Sequence, residues 1–299
     1  MNINKYKGVM KLKRILSLIL STILMSGIIG CGENREYLSQ GEGNYGEVWH
    51  RKTETALNTE ELGKVNNYYE SRLADNKNNI LRVATFNMHG DNYLDFELYK
   101  NYISENLLHV IGLQEVETLK GDIDSKFNIY DLNKIVYGKS STVDVYNAIH
   151  SNIDLVDQPI VTNLPSTGEG RILVKTSMIL NDKKVSLYVT HLSYTETTDR
   201  PLQMAKIKEI MDADTTPYKI LMGDFNASYS DFYNLLGMNY TSVQGYNGKW
   251  YQTEDYEEDQ FKCIDNIFVT KNIQIDKVVM NSDMMGSDHR MLWCELILK

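Results

Sequence analysis

Short apolar runs that stop at polar residues recur along the chain from residue 80 onward. In "KILMGDFNAS" (residues 219–228), the apolar run predicts a short buried strand, and it breaks at Gly223 before Asp224 and Asn226. Because side chains two residues apart in an extended chain point the same way, a carboxylate and a carboxamide are held side by side. The sequence therefore predicts a polar site at the rim of a sheet.

The arrangement of the apolar runs indicates the fold class. Six further runs predict strands at residues 81–86, 110–113, 172–180, 185–190, 264–269 and 291–298. Between them, residues 202–212 repeat apolar side chains at the spacing of one helical face. Strands that alternate with helical segments predict one α/β or α+β domain of about 220 residues.

Polar side chains adjoin the ends of six of the predicted strands. In chain order they are Asn87, Glu115, His191, Asp224, Asn226, Asp265, Asp288 and His289. The first five follow a run, whereas the last three open or precede one. If the last two strands run antiparallel to the others, all eight side chains lie at one edge of the sheets, in a single cleft.

These residue types suit metal-assisted hydrolysis. The oxygen donors of Asn87, Glu115 and Asp288 match a hard cation such as Mg²⁺ or Mn²⁺. The two histidines suit proton transfer near neutral pH, and Asp265 could fix the tautomer of one of them. Together these groups predict hydrolysis of a phosphoester by an activated water. A serine hydrolase is disfavoured because no GxSxG stretch occurs.

Six motifs carry these residues: "TFNMHG", "IGLQEVE", "VTHLSY", "LMGDFNA", "IDNIFV" and "GSDHRMLWCEL". In this order they resemble the motifs of the endonuclease/exonuclease/phosphatase superfamily, which includes pancreatic-type deoxyribonuclease, abasic-site endonucleases, bacterial sphingomyelinases and inositol polyphosphate 5-phosphatases. The resemblance covers about residues 81–299. It implies a four-layer sandwich of two packed mixed β-sheets flanked by helices. It also implies a divalent-metal-dependent phosphoesterase, more specifically a phosphodiesterase.

The resemblance also implies where metal and substrate bind. Asn87 and Glu115 would lie at the principal metal, Mg²⁺ or Mn²⁺, with Asp288 nearby. Arg171 in "GEGRILVK" stands where relatives often place an arginine that contacts the phosphate. Asn147 in "YNAIHS" stands in a segment that resembles "GNAILS" of the relatives. These last two residues are expected to bind substrate.

The remaining roles concern the chemical step. By resemblance, His191 would contact the scissile phosphate or stabilise its charge. Asp224 would orient or deprotonate the attacking water, which Asn226 would position. His289 would be the general base or a phosphate contact, hydrogen-bonded to Asp265. The resemblance leaves open which of the two, Asp224 or His289, takes the proton.

The N-terminal segment predicts export and lipidation. Basic residues precede an apolar run at residues 15–29, which has the length of a signal-peptide core and is short for a membrane span. Gly30 followed by Cys31 resembles a bacterial lipobox, in which the cysteine receives lipid. We therefore expect a signal peptide at residues 1–30 and a lipid-anchored monomer on the extracytoplasmic face of a bacterial cell membrane.

The rest of the chain divides into two parts. Residues 31–79 are polar and predict a tether with one helix around residues 59–72, whereas residues 80–299 predict the catalytic domain. Once Cys31 carries lipid, Cys263 and Cys294 remain, either as a disulfide or as two buried free thiols.

Composition constrains the substrate only weakly. The net charge of −9 argues against a broad basic face for nucleic acid, although it does not exclude a nuclease. Residues 245–262, aromatic and then acidic, are expected to overhang the cleft. Arg200 and Gln203 are interpreted as residues that cap and face a helix. Nucleic acid, a phospholipid head group and a small phosphodiester all remain candidate substrates. The alternatives are an extracytoplasmic deoxyribonuclease, a phospholipase C or sphingomyelinase-like enzyme, and a non-catalytic binding lipoprotein.

Overall fold

A computed structural model describes residues 36–39, 45–50, 71, 75, 77–90, 94–117, 134–140, 146–254 and 262–299. Within these residues the chain forms fourteen strands and three α-helices. The strands are β1 (Glu36–Ser39), β2 (Tyr45–His50), β3 (Ile80–Asn87), β4 (Val110–Val116), β5 (Lys134–Lys139), β6 (Tyr146–Ser151), β7 (Ile160–Asn163), β8 (Ile172–Leu180), β9 (Lys183–His191), β10 (Tyr218–Asp224), β11 (Tyr240–Ser242), β12 (Asp265–Thr270), β13 (Ile273–Met280) and β14 (Leu292–Leu298). The helices are α1 (Phe96–Glu105), α2 (Asp199–Ala213) and α3 (Ser230–Tyr233).

The strands form two mixed sheets. One sheet has the order β1-β2-β5-β6-β4-β3-β14-β13, and the other has the order β11-β12-β10-β9-β8-β7. Strand β3 runs parallel to β4, and β9 runs parallel to β10. Strand β12 is antiparallel to β10, and β14 is antiparallel to β3. The condition for a single cleft is therefore met: strand ends from both sheets meet at one edge.

Alternation along the strands builds the core between the sheets. In β10, Ile220 and Met222 pack against the eight-stranded sheet, whereas Leu221 packs in the cluster that includes α2. Gly112 of β4 permits close approach here, since a Cβ at that position would lie 2.6 Å from the Cβ of Met222. The two sheets thus pack face to face through interdigitating aliphatic side chains.

Helices cover the outer face of each sheet. Asp95 caps the N-terminus of helix α1, and its carboxylate accepts hydrogen bonds from two main-chain N–H groups. The helix buries Tyr99 against the eight-stranded sheet. Helix α2 buries Met204, Ile207 and Met211 against the other sheet, which confirms the helical face predicted there. The predicted four-layer sandwich is confirmed.

The structure also departs from the prediction. The sequence did not predict strands β5, β6, β7, β11 and β13 or helices α1 and α3. Strands β1 and β2 lie in the predicted tether, and β2 pairs with β5, so part of residues 31–79 belongs to the sheet. The division of the chain at residue 80 stays a prediction. The expected helix at residues 59–72 falls outside the described residues except for Ser71, which is helical.

The predicted signal peptide and lipidation site lie outside the part of the chain that the structure describes. Residues 1–30 and Cys31 are outside the described residues. In the described part of the chain, no helix is both long and apolar enough to cross a membrane. Cys263 and Cys294 are buried free thiols, so of the two alternatives the disulfide is excluded.

Candidate active site

Strand register places three ionisable residues side by side at the sheet edge. Asp224 of β10 pairs with His191 of β9 on one side and with Asp265 of β12 on the other. Gly223 precedes Asp224 where a Cβ would lie 2.5 Å from the main-chain oxygen of Thr190. A glycine is therefore required for β10 to approach β9 this closely beside the site.

The carboxylate of Asp224 is the centre of the contacts. Its Oδ2 accepts a hydrogen bond from Nδ2 of Asn87 at 3.0 Å and lies 3.4 Å from Nε2 of His191. Nε2 of His289 is 3.8 Å from the same oxygen. Its Oδ1 accepts a hydrogen bond from the main-chain N–H of Asn226 at 2.8 Å. Side chains from both sheets thus converge on one buried carboxylate.

His289 is held from two directions. Its Nδ1–H donates to Oδ2 of Asp265 at 2.7 Å, the contact that the resemblance implied. Its main-chain N–H donates to Oγ of Ser287 at 3.0 Å, and that hydroxyl donates to the main-chain oxygen of Asn87 at 2.7 Å. The loop before β14 is therefore fastened to the end of β3, and Nε2 of His289 faces the cleft.

The surroundings of His191 and His289 give their imidazoles different pKa values. Burial works against the charged form of His289, but the charge and hydrogen bond of Asp265 outweigh it and raise the pKa to about 10. Burial, with the positive charges of Arg171 and His289, holds the pKa of His191 well below its usual range. Burial and the charge of Asp265 raise the pKa of Asp224 to about 7. One charged imidazole and one neutral imidazole therefore face a carboxyl group that titrates near neutrality.

The predicted metal ligands lie on the side of Asp224 that belongs to the eight-stranded sheet. Nδ2 of Asn87 also donates to Oε1 of Glu115 at 3.0 Å. Asp288 places Oδ2 2.9 Å from Nδ1 of His89, while its Oδ1 is buried and has no hydrogen-bond partner among the described residues. A buried carboxylate oxygen without a donor, beside further oxygen donors, fits a hard cation.

A second possible cation site adjoins the first, since Asn87 is hydrogen-bonded to Asp224. Ligand atoms of Asp224, Asp265 and His289 lie within 4.8 Å of one another. The sequence predicts roles in the chemical step for these three residues, so this cluster differs from the predicted metal ligands Asn87, Glu115 and Asp288.

Strained backbone marks the same edge. His89, Glu115 and Asn226 have φ angles of 50°, 55° and 50°, in the left-handed region that non-glycine residues rarely adopt. Such residues persist only where the surroundings hold them, and they cluster at functional sites. The amide of Asn226 is held by a hydrogen bond from Nδ2 to the main-chain oxygen of Leu192 at 3.0 Å.

The predicted substrate-binding residues lie at the same edge but are engaged with the protein. Arg171 donates from Nη2 and Nε to Oε2 of Glu169, at 2.7 and 3.2 Å. Asn147 is buried and donates from Nδ2 to the main-chain oxygen of Ile172 at 3.4 Å. Arg171 still acts on the site, since its charge lowers the pKa of His191.

A pocket of about 430 Å³ opens beside Asn226. Its lining includes Tyr194, Arg200, Asn226, Ser228, Glu254 and Lys262. The sequence predicts that Arg200 caps the helix, and it places Glu254 and Lys262 in the segment expected to overhang the cleft. Arg200 lies in the first turn of α2, whereas Glu254 and Lys262 lie between β11 and β12. Only the fold brings the three residues together, so their spacing carries no motif.

Comparisons with known proteins agree with this fold. The model of the Endonuclease/Exonuclease/phosphatase family matches residues 84–289. The fold is similar to that of a humanized D. rerio TDP2, with 19% identity, a TM-score of 0.62, and coverage of 73% of this chain and 99% of that chain. It is also similar to a family protein of Leptotrichia buccalis (18% identity, TM-score 0.59, 72% and 99% covered). A third similar structure is the mannosyl-6-phosphatase Bt3783 of Bacteroides thetaiotaomicron (17% identity, TM-score 0.56, 73% and 99% covered). No curated protein matches the chain significantly.

Proposed function

Because this chain belongs to the endonuclease/exonuclease/phosphatase family, whose members hydrolyse phosphoester bonds with a divalent metal, we propose that it is a metal-dependent phosphodiesterase. One observation carries the proposal: Asn87, His191 and the Asp265–His289 pair converge on the buried carboxylate of Asp224. The site thus has two imidazoles, one of them hydrogen-bonded to a carboxylate, and a carboxyl group with a pKa of about 7. Groups of these types can transfer protons during hydrolysis of a phosphoester.

The position of each residue in the site indicates its role in the reaction. Asn87, Glu115 and Asp288 would hold Mg²⁺ or Mn²⁺, which, when bound, screens the phosphate charge and lowers the pKa of a coordinated water. Asp224 would accept a proton from the attacking water. Nε2–H of His289 would donate a hydrogen bond to a phosphate oxygen, with its ring held by Asp265.

Two observations bear on the substrate. A diester carries a second substituent on its phosphate, and the pocket beside Asn226 has room for one. The net charge of −9 favours a small diester or a lipid head group over long nucleic acid. The predicted lipid anchor would place the domain at the extracytoplasmic membrane face, beside phospholipid.

A nuclease is the second candidate. A D. rerio TDP2 structure of 17% identity and TM-score 0.60 is described as complexed with a single strand DNA product. Single-stranded DNA binds with a weaker counterion contribution than a duplex and partly through base stacking, so it conflicts less with the net charge of this chain.

A substrate panel tests the proposal. The full-length chain, purified in detergent with Mg²⁺ or Mn²⁺, is assayed on bis(p-nitrophenyl) phosphate, p-nitrophenyl phosphate, a DNA oligonucleotide, plasmid DNA, sphingomyelin and phosphatidylinositol. We expect the chromogenic diester to be hydrolysed faster than the monoester. We also expect one of the natural diesters to be hydrolysed faster than both chromogenic compounds. A faster rate on the monoester would exclude a phosphodiesterase. No turnover of any compound would favour the non-catalytic binding lipoprotein.

A further inference from the structure

The pocket beside Asn226 holds an arginine with an unusual environment. Arg200 donates from Nε to the main-chain oxygen of Ser193 and from Nη2 to that of Tyr194, each at 2.6 Å. No carboxylate of the described residues forms an ion pair with it, although its side chain is half-buried. Since a guanidinium carries about five N–H donors, several remain for a ligand in the pocket.

The loop that orients Arg200 is itself anchored. Oε2 of Glu169 accepts a hydrogen bond from the main-chain N–H of Tyr194 at 2.8 Å, and Oε1 accepts one from that of Thr195 at 2.9 Å. Gln203 is buried and accepts a hydrogen bond from the main-chain N–H of Ser193 at 3.0 Å. The guanidinium is therefore held in place before any ligand arrives, which lowers the entropic cost of binding.

A second cation lines the same pocket. Nζ of Lys262 lies 2.8 Å from Oε2 of Glu254, so the charge of this lysine is already balanced within the protein. Arg200 has no carboxylate of the described residues in direct contact. Burial lowers its pKa, and the more distant charges of Asp224 and Glu169 only partly oppose that effect. The lining thus has two cations and one carboxylate, beside Asn226 of the catalytic edge. An excess of positive charge at a partly buried position recognises an anion.

Resting on the proposed phosphodiesterase activity, we propose that this pocket binds a second anionic group, a carboxylate or a phosphate, on a substituent of the scissile phosphate. The preferred substrates are then diesters with a charge beyond the one that reacts. Arg200 is the residue that determines this specificity, and Lys262 contributes less because Glu254 balances it.

Four chromogenic diesters test the inference on the full-length chain with Mg²⁺. They are p-nitrophenyl phosphodiesters of propanol, of 3-hydroxypropanoate, of 3-hydroxypropyl phosphate and of choline. We expect kcat/KM for at least one anionic compound to exceed that for the propyl compound by about tenfold. Comparison of the carboxylate and phosphate compounds shows which anionic group the pocket prefers. In Arg200→Gln this ratio should fall to about one. Lys206→Gln removes a cation from the exposed side of α2 and should keep the ratio.

Three outcomes would overturn the inference. These are a wild-type ratio of about one, a ratio that survives Arg200→Gln, and a preference for the choline compound, which would assign the pocket to Glu254. The second outcome includes the case in which Arg200→Gln lowers kcat/KM for every substrate by the same factor. Arg200 would then only support the loop at Ser193 and Tyr194.

A binding measurement separates this inference from the proposed function. Calorimetry on the same protein with Mg²⁺ compares propylphosphonate with 3-phosphonopropanoate, two ligands that are not hydrolysed and differ by one carboxylate. We expect about tenfold tighter binding of the second ligand, and equal binding in Arg200→Gln. The anion pocket is excluded if the wild type binds both phosphonates equally and hydrolyses the anionic diesters no faster than the propyl diester. Absence of hydrolysis with unequal binding excludes the phosphodiesterase and keeps the pocket.

Discussion

Three ionisable side chains are buried together at the site: Asp224, Asp265 and His289. None of them is more than 4% exposed. Buried charges are tolerated only when they are paired and hydrogen-bonded. The 2.7 Å bond between His289 and Asp265 provides that pairing. The same bond fixes which ring nitrogen faces the cleft, so the pair should act as one unit in catalysis.

A double-mutant cycle tests this unit. His289→Ala should lower kcat by roughly 10²-fold to 10³-fold, the usual contribution of one hydrogen-bond donor that stabilises the negative charge developing in the transition state. Asp265→Asn should also lower kcat, because a neutral amide replaces the charged acceptor beside the imidazole. The double variant should be little slower than His289→Ala, since the second change removes a partner that no longer has a function.

The control for Asp265→Asn is Asp276→Asn, which makes the same change at an exposed position of β13. Circular dichroism melts of each variant separate lost chemistry from lost folding. Multiplicative losses in well-folded proteins would show that Asp265 and His289 have separate roles.

At the scale of elements, the sequence predicts strands where burial is continuous. Strands β9 and β10 are buried along most of their length, so their apolar runs identify them. Strand β13 was missed because Asp276 and Lys277 are exposed and interrupt its alternation at a register shift. Strand β6 was missed because it buries polar residues, among them His150, which is hydrogen-bonded to the hydroxyl of Tyr99.

The site was predicted to the extent that it consists of strand ends. Asn87, His191 and Asp224 each end a strand, so a correct strand order was enough to bring them together. Arg200 and Lys262 reach the pocket from loops and a helix terminus, whose paths depend on tertiary contacts. No periodicity in the sequence records such contacts.

Glu169 fastens the loop that follows β9. Burial works against its charge, but hydrogen bonds from Thr195 and Tyr194 and from Arg171 lower its pKa to about 2. A carboxylate whose pKa is lower in the folded protein stabilises the fold above its unfolded pKa, about 4.3, and this stabilisation is lost as the pH falls toward 2.

Glu169→Gln should therefore reduce the free energy of unfolding by about 1–2 kcal/mol at neutral pH, since its charged hydrogen bonds become neutral ones. The difference from wild type should be constant above about pH 5 and shrink at lower pH. Urea unfolding at pH 7, 5, 4 and 3 measures it. Glu209→Gln, at an exposed pair with Lys206, is the matched control and should show little difference. A difference for Glu169→Gln that does not change with pH would contradict the assignment.

At the scale of the whole molecule, the site belongs to neither sheet alone. Asn87 ends a strand of the eight-stranded sheet and Asp224 ends a strand of the six-stranded sheet, and the 3.0 Å bond between them spans the two. The site therefore exists only when both sheets are packed. Stability of the sandwich and activity should be lost together on unfolding.

The N-terminal prediction concerns where the molecule resides. If Cys31 is the lipidated residue, Cys31→Ser should block processing or release the protein from the membrane fraction. Fractionation and a mass measurement of the mature N-terminus check this, with Cys263→Ser, at a buried free thiol, as the matched control. A Cys31→Ser protein that is processed and remains on membranes like wild type would exclude the lipoprotein.

Metal dependence is the sharpest test of the proposed phosphodiesterase. The measurement is hydrolysis of bis(p-nitrophenyl) phosphate by the full-length chain in EDTA, and then with Mg²⁺ or Mn²⁺ restored, for wild type, Glu115→Gln and the surface control Glu209→Gln. We expect no turnover in EDTA and recovery with metal. We also expect Glu115→Gln to need a higher metal concentration than wild type or the control, because one ligand charge is lost. Full turnover in EDTA, or the same metal requirement in all three proteins, would contradict the proposal.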